Sequence, residues 1–201
     1  MYPTCTPEVF PLIGKTGLRR KGTLSFNLFP FSRKLNFFLA YSIKNKYLCR
    51  QNKKMTKQET YEMVLPQIKS VVCGERDMIA NMANVAAILH EAFGFWWTGF
   101  YRVEGNELIL GPFQGPVACT RIAFGRGVCG KAWERGETIC VPNVHEFAGH
   151  IACSSESKSE IVVPLWHGGQ VIAVLDIDSA EYNTFDETDK KYLEEVVKLL
   201  C

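Results

Sequence analysis

At Gly94 the spacing of apolar residues changes from three-and-four to two, which restricts the chain to helices followed by a sheet built from hairpins. Upstream, residues 56–72 and 75–93 are expected as amphipathic helices separated at Cys73-Gly74. The second has Met78, Met82, Val85, Ile88 and Leu89 on one stripe and Gly94 as its stop. Downstream, residues 96–103 and 107–110 flank Glu104-Gly105-Asn106, a hairpin turn. Residues 120–124 and 138–141 read as short strands, 130–135 as a turn or two of helix, and 142–159 as a long polar loop. A second hairpin pairs 161–166 with 170–177 across His167-Gly168-Gly169, and 186–200 form a closing helix capped by Thr184 or Asp186. Hairpin-linked strands with helices packed on them predict an α+β fold, an antiparallel sheet flanked by helices.

Charge divides the chain. Residues 1–54 hold 11 Lys/Arg against one acid, Glu8, whereas residues 55–201 hold 12 against 20, a net of −8. The basic part has one short apolar run, Phe37 to Tyr41, far below the roughly 20 residues a bilayer span needs. A transit peptide, or a basic patch for nucleic acid or membrane, would share this composition. The reading adopted is that Met55 opens the folded part and that residues 1–54 are an unstructured extension, with no nucleic-acid or membrane partner. Eight cysteines without a secretory signal indicate a reducing compartment, the cytoplasm, where thiols are redox-active, metal-bound or inert.

Four groups of residues bear on chemistry. Gly125-Arg-Gly-Val-Cys-Gly-Lys-Ala132 fits two phosphate-loop patterns incompletely: Ala132 replaces the Ser or Thr that would hold magnesium, and no parallel βαβ units surround it. It is read as a turn into a helix. Cys119, Cys129, Cys140, His145, His150 and Cys153 are enough ligands for zinc but lack the short pairs of structural sites, so no metal is expected. Asp176 and Asp178 interrupt an apolar strand on the same face as Ile172 and Val174, so either two carboxylates enter the core or the strand ends before them. Trp97 and Tyr101 share a face with Gly99 between them, an aromatic stripe that either packs as plain core or, through the missing side chain, leaves a slot for a small ligand group.

Six separated motifs, Val117-Ala-Cys119-Thr-Arg-Ile, Gly127-Val-Cys129-Gly-Lys-Ala-Trp, Val141-Pro-Asn-Val, His150-Ile-Ala-Cys153, Ser159-Glu160-Ile-Val-Val-Pro and Val174-Leu-Asp-Ile-Asp178-Ser, resemble the free methionine-R-sulfoxide reductases over about residues 55–200. The resemblance implies a GAF fold for residues 55–201 and thiol-dependent reduction of free methionine-R-sulfoxide. It implies Cys153 as nucleophile, Cys119 as resolving cysteine, and Cys129 as a third family cysteine of unassigned role. Trp97, Tyr101, Glu160, Asp176 and Asp178 would bind substrate. A sulfenic acid on Cys153 would close to a disulfide with Cys119, recycled by a thioredoxin-like reductant without any cofactor. Oligomeric state, homodimer included, is left open. The rival expectation is a non-catalytic GAF sensor of small molecules.

Overall fold

The computed structural model describes residues 55–149 and 155–200; the basic extension, His150, Cys153 and Cys201 lie outside the described residues. Helix α1 (Lys57–Val72) begins where Thr56 accepts the backbone N–H of Glu59 and the Glu59 carboxylate accepts that of Thr56, so two otherwise orphaned donors are satisfied. Helix α2 (Met78–Phe93) starts three residues later than its apolar stripe predicts, because the Asp77 carboxylate takes the N–H groups of Ile79 and Ala80. It ends at Gly94, in the left-handed conformation expected of the stop.

Strands β1 (Trp97–Glu104), β2 (Glu107–Gln114), β3 (Arg121–Ala123), β4 (Ile139–Val141), β5 (Ser159–His167) and β6 (Gln170–Ser179) form one antiparallel sheet in the order β3-β2-β1-β6-β5-β4. Helix α3 (Gly127–Arg135) connects β3 to β4, and helix α4 (Glu187–Lys198) follows β6. This is the α+β arrangement predicted. Among the described residues no helix is long and apolar enough to cross a membrane.

Three boundaries are shifted from expectation for local reasons, and the α4 cap is decided between its two candidates. Strand β2 continues through Gly111-Pro112 because the β1–β2 register shifts between Gly99 and Tyr101, so the proline falls where the ladder needs no N–H. Helix α3 begins at Gly127 and takes in the glycine-rich stretch, with Gly125 and Gly127 supplying the left-handed turns that lead into it. The 142–159 loop contains a 3₁₀ turn, Val144–Glu146, and its last residue starts β5. The cap of α4 is Asp186, whose carboxylate accepts from Thr188 and Asp189.

The sheet separates two apolar layers. Helices α1, α2 and α4 cover one face, with Tyr61, Val64, Leu89 and Leu193 against Phe100, Ile161, Val163, Leu175 and Ile177. The opposite face carries Trp97, Tyr101, Val162 and Val174 beneath Val128, Cys129 and Ala132 of α3.

One polar knot ties α1 to α4. Asp189 is fully buried and accepts from the Tyr61 hydroxyl at 2.9 Å, the backbone N–H of Asp186 at 2.8 Å and the Lys57 ammonium. Lys57 also donates to the Thr184 carbonyl and to Asp186, each at 2.8 Å. Burial opposes the Lys57 charge, yet its bonds to the two aspartates hold its pKa above the ordinary value. Lys57→Met is expected to cost about 2–4 kcal/mol in urea unfolding, because it strands a buried carboxylate. Tyr61→Phe, which removes one donor, costs about 1–2 kcal/mol. A Lys57→Met protein as stable as wild type would show that the knot does not hold the helices.

Candidate active site

Strand β6 runs unbroken through Ser179, so Asp176 and Asp178 lie within the sheet, and the alternative of a strand ending before them is excluded. They share a face with Val174 as expected. Ile172 does not: it packs with the helix-side layer, because the β5–β6 register shifts between Leu165 and Trp166. Glu160 of β5 stands opposite Asp178, and Trp97 of β1 stands opposite Asp178 from the other side. Three neighbouring strands thus deliver Trp97, Glu160, Asp176 and Asp178 to one pocket, which Tyr101, Gly127, Val128, Cys129 and Ser157 also line. Glu160 and Asp176 are each 6% exposed, and Asp178 is half-buried.

No Lys or Arg lines this pocket among the described residues. Burial, followed by repulsion from Asp176 and Asp178, pushes the Glu160 carboxyl well above the ordinary range. Burial and the Asp178 charge raise Asp176 as well, while hydrogen bonds from Cys129 and Glu160 oppose the rise. Burial lifts Asp178 to about 6 against a hydrogen bond donated by Ser157. Both carboxyls are therefore driven toward the protonated form, with Glu160 donating to Asp176. The Cys129 thiol, 3.9 Å from Glu160 Oε1, is raised far above its ordinary value by burial and by Asp176 and Glu160. It remains a neutral donor at neutral pH, which is the wrong state for a nucleophile.

The aromatic pair departs from expectation at one point. Trp97 and Tyr101 are buried and stacked, ring centroids 5.9 Å apart. The space left by Gly99 holds the Trp97 ring itself: a Cβ there would lie 2.5 Å from the indole and 2.4 Å from the Phe113 Cβ. The slot expected at Gly99 is thus filled from within, and the ligand space lies beyond the ring. The indole N–H donates to the Pro116 carbonyl and the Tyr101 hydroxyl to the Cys119 carbonyl, both at 3.0 Å.

Of the zinc-like set, Cys119 is in a disulfide, Cys129 lies in the acidic pocket, and Cys140 and His145 are exposed. Cys140 sits on the edge strand β4 with its thiol turned to the Phe185 carbonyl. Cys73 is also disulfide-bonded. Among the described residues the group suited to a cation is Cys129, Glu160 and Asp176, whose ligand atoms lie within 4.8 Å of one another. The expected nucleophile, Cys153, and its neighbour His150 lie outside the described residues. Ser157 and Pro116 join the site with no signal in the sequence, since only the folded loops bring them to Asp178 and Trp97.

The GAF domain family model matches residues 75–200. The GAF domain-containing protein A of Dictyostelium discoideum is 59% identical over 148 residues, 73% of this chain and 94% of that protein. The free methionine-R-sulfoxide reductase of Saccharomyces cerevisiae is 41% identical over 73% of this chain and 86% of its own length. The crystal structure of the Neisseria meningitidis free methionine-R-sulfoxide reductase with its substrate superposes with a TM-score of 0.72 at 57% identity, covering 74% of this chain and 90% of that one. With the family model running through the strands that build the acidic pocket and with relatives of this identity and coverage, the chain belongs to the free methionine-R-sulfoxide reductases of the GAF domain family.

Proposed function

We propose that this protein reduces free methionine-R-sulfoxide to methionine. The observation that carries the reading is the meeting of three buried or half-buried carboxyl groups and two stacked aromatic rings around one pocket, whose Pro116–Ala118 wall leads directly into the disulfide-bonded Cys119. Its relatives in yeast and Neisseria meningitidis bear that activity in their names.

An amino-acid substrate supplies what the pocket lacks. Its ammonium answers the ionised carboxylates, and its α-carboxylate faces the first turn of α3, where Gly127 to Cys129 line the pocket and N–H groups have no acceptor within the helix. The S-methyl group rests on the Trp97 and Tyr101 rings. A peptide-bound methionine sulfoxide has no ammonium and leaves the carboxylates without a counter-charge, which selects the free amino acid.

The Cys153 thiolate attacks the sulfoxide sulfur while Glu160 gives its proton to the departing oxygen. The oxygen passes to sulfur as Cys153–SOH, and methionine, now two electrons richer, leaves. The Cys119 thiol then displaces that oxygen as water and closes a disulfide, which a thioredoxin-like dithiol in the cytoplasm reduces. Cys129 stays protonated and holds the carboxyl groups in place.

Cys153→Ser is expected to abolish turnover of the R epimer with dithiothreitol as reductant. Cys119→Ser keeps one equivalent of methionine per chain but loses thioredoxin-driven cycling. Full activity in Cys153→Ser removes the reductase assignment, as does a ligand that binds and is recovered unchanged, the behaviour of a sensor.

Glu160→Gln keeps the shape and removes the transferable proton, so turnover should fall about 10²- to 10⁴-fold. Stability should move the other way. Glu160 and Asp176 hold protons in the native state at pH values where the unfolded chain has released them, so wild-type stability falls as pH rises above the ordinary carboxylate range. Melting between about pH 5 and 8 should show a flatter profile for Glu160→Gln and a gain of about 1–3 kcal/mol at the alkaline end. A steeper or unchanged profile would place the retained proton elsewhere.

A further inference from the structure

We propose that Tyr101 and Trp97 are positioning residues for the disulfide-forming step: their side-chain donors strap residues 115–119 to the sheet and set where Cys119 meets the sulfenic acid. This rests on the reading that Cys119 resolves a Cys153 sulfenic acid.

The segment between β2 and β3 has neither helix nor strand. Its far end is held by the backbone bond from Leu110 to the Thr120 carbonyl, at 3.0 Å. Its middle is exposed: Val117 keeps 88% of its surface accessible. The grips on either side of Val117 are the indole N–H on the Pro116 carbonyl and the phenol on the Cys119 carbonyl, both at 3.0 Å. These donors come from one face of β1, four residues apart, and take carbonyls three residues apart. Where the segment leaves β2 it lies on the indole: a Cβ at Gly115 would sit 2.7 Å from Trp97 Cδ1 and 2.9 Å from the Trp96 carbonyl, at a φ of 129° that suits glycine.

Both donors are engaged in the state in which Cys119 is already disulfide-bonded, so the strap holds the geometry that closure must reach. A buried donor that lost its acceptor would carry the full desolvation cost, so the polar ends of these rings serve the strap while their faces line the pocket. Burial, and then the charges of Asp176, Cys129 and the other carboxylates, keeps the Tyr101 proton in place across the working pH range. The geometry matters to one step above others. Closure, Cys153–SOH + HS–Cys119 → S–S + H₂O, requires Cα atoms within about 7 Å and a narrow dihedral range, so a displacement of a few ångströms at Cys119 halts it. Attack on the sulfoxide does not involve Cys119.

The test oxidises the reduced full chain with one equivalent of methionine-R-sulfoxide in the presence of dimedone, which traps sulfenic acids, and counts disulfide formed per methionine released. Tyr101→Phe and Trp97→Phe each delete one donor and keep a ring. Each should close the disulfide about fivefold to tenfold more slowly per methionine released, with the dimedone adduct rising to match. Because both rings also line the substrate pocket, the deciding run makes the sulfenic acid with hydrogen peroxide: a wild-type ratio of disulfide to dimedone adduct in both variants overturns the proposal, whatever happens to methionine release. If wild type releases no methionine, the reductase reading falls, and the peroxide run still scores the strap.

Discussion

Carboxyl groups held close together in a low-dielectric pocket repel one another, and most of the site can be understood as a response to that repulsion. Glu160, Asp176 and Asp178 converge from two paired strands, and the lining offers them no basic side chain among the described residues. The pocket answers with neutral donors: the Ser157 hydroxyl, the Cys129 thiol and the retained proton of Glu160. None of these removes the need for a cation when a second carboxyl ionises. The two apolar layers on either side of the sheet supply the stability that offsets such a costly arrangement.

Fold class follows from period, and so does the placing of Asp176 with Asp178 and of Trp97 with Tyr101 on shared faces, whereas Glu160 and the cysteines were legible only through the family resemblance. The change of spacing at Gly94, the turns at Glu104-Gly105 and Gly168-Gly169, and the placement of Asp176 and Asp178 two apart on an apolar strand all survive into the structure. What period cannot carry is a shift of register. The irregularity near Gly99 extended β2 through a proline, and the one near Trp166 moved Ile172 to the other layer. Glycine was similarly ambiguous. An absent side chain at position 99 reads as empty space in a string of letters, yet in three dimensions the neighbouring indole is large enough to take it. Contacts between distant loops, such as Ser157 with Asp178, leave no mark in the sequence at all. The role of Cys129 could be drawn only from its surroundings, since a thiol among carboxylates and a thiol beside a cation are spelled alike.

Pocket wall and disulfide-bearing segment share side chains here. Trp97 and Tyr101 line the pocket and turn their polar edges to the segment bearing Cys119, so one strand of the sheet addresses both the pocket and that segment. The scaffold confers this economy, because residues four apart on a strand point the same way and a sheet is stiff over that distance.

The cross-strand pairing of Glu160 with Asp178 has a bearing on folding as well as on binding. A one-residue slip between β5 and β6 would turn an acid from the pocket into the layer beneath the helices, where it would face Leu, Ile and Val with neither solvent nor a hydrogen-bond partner. Apolar strands of this kind are otherwise tolerant of misalignment, since valine and isoleucine pack acceptably against many neighbours. The acids withdraw that tolerance: the groups that weaken the native sheet weaken its misaligned competitors far more, and so act as a proofreading device for strand pairing during folding.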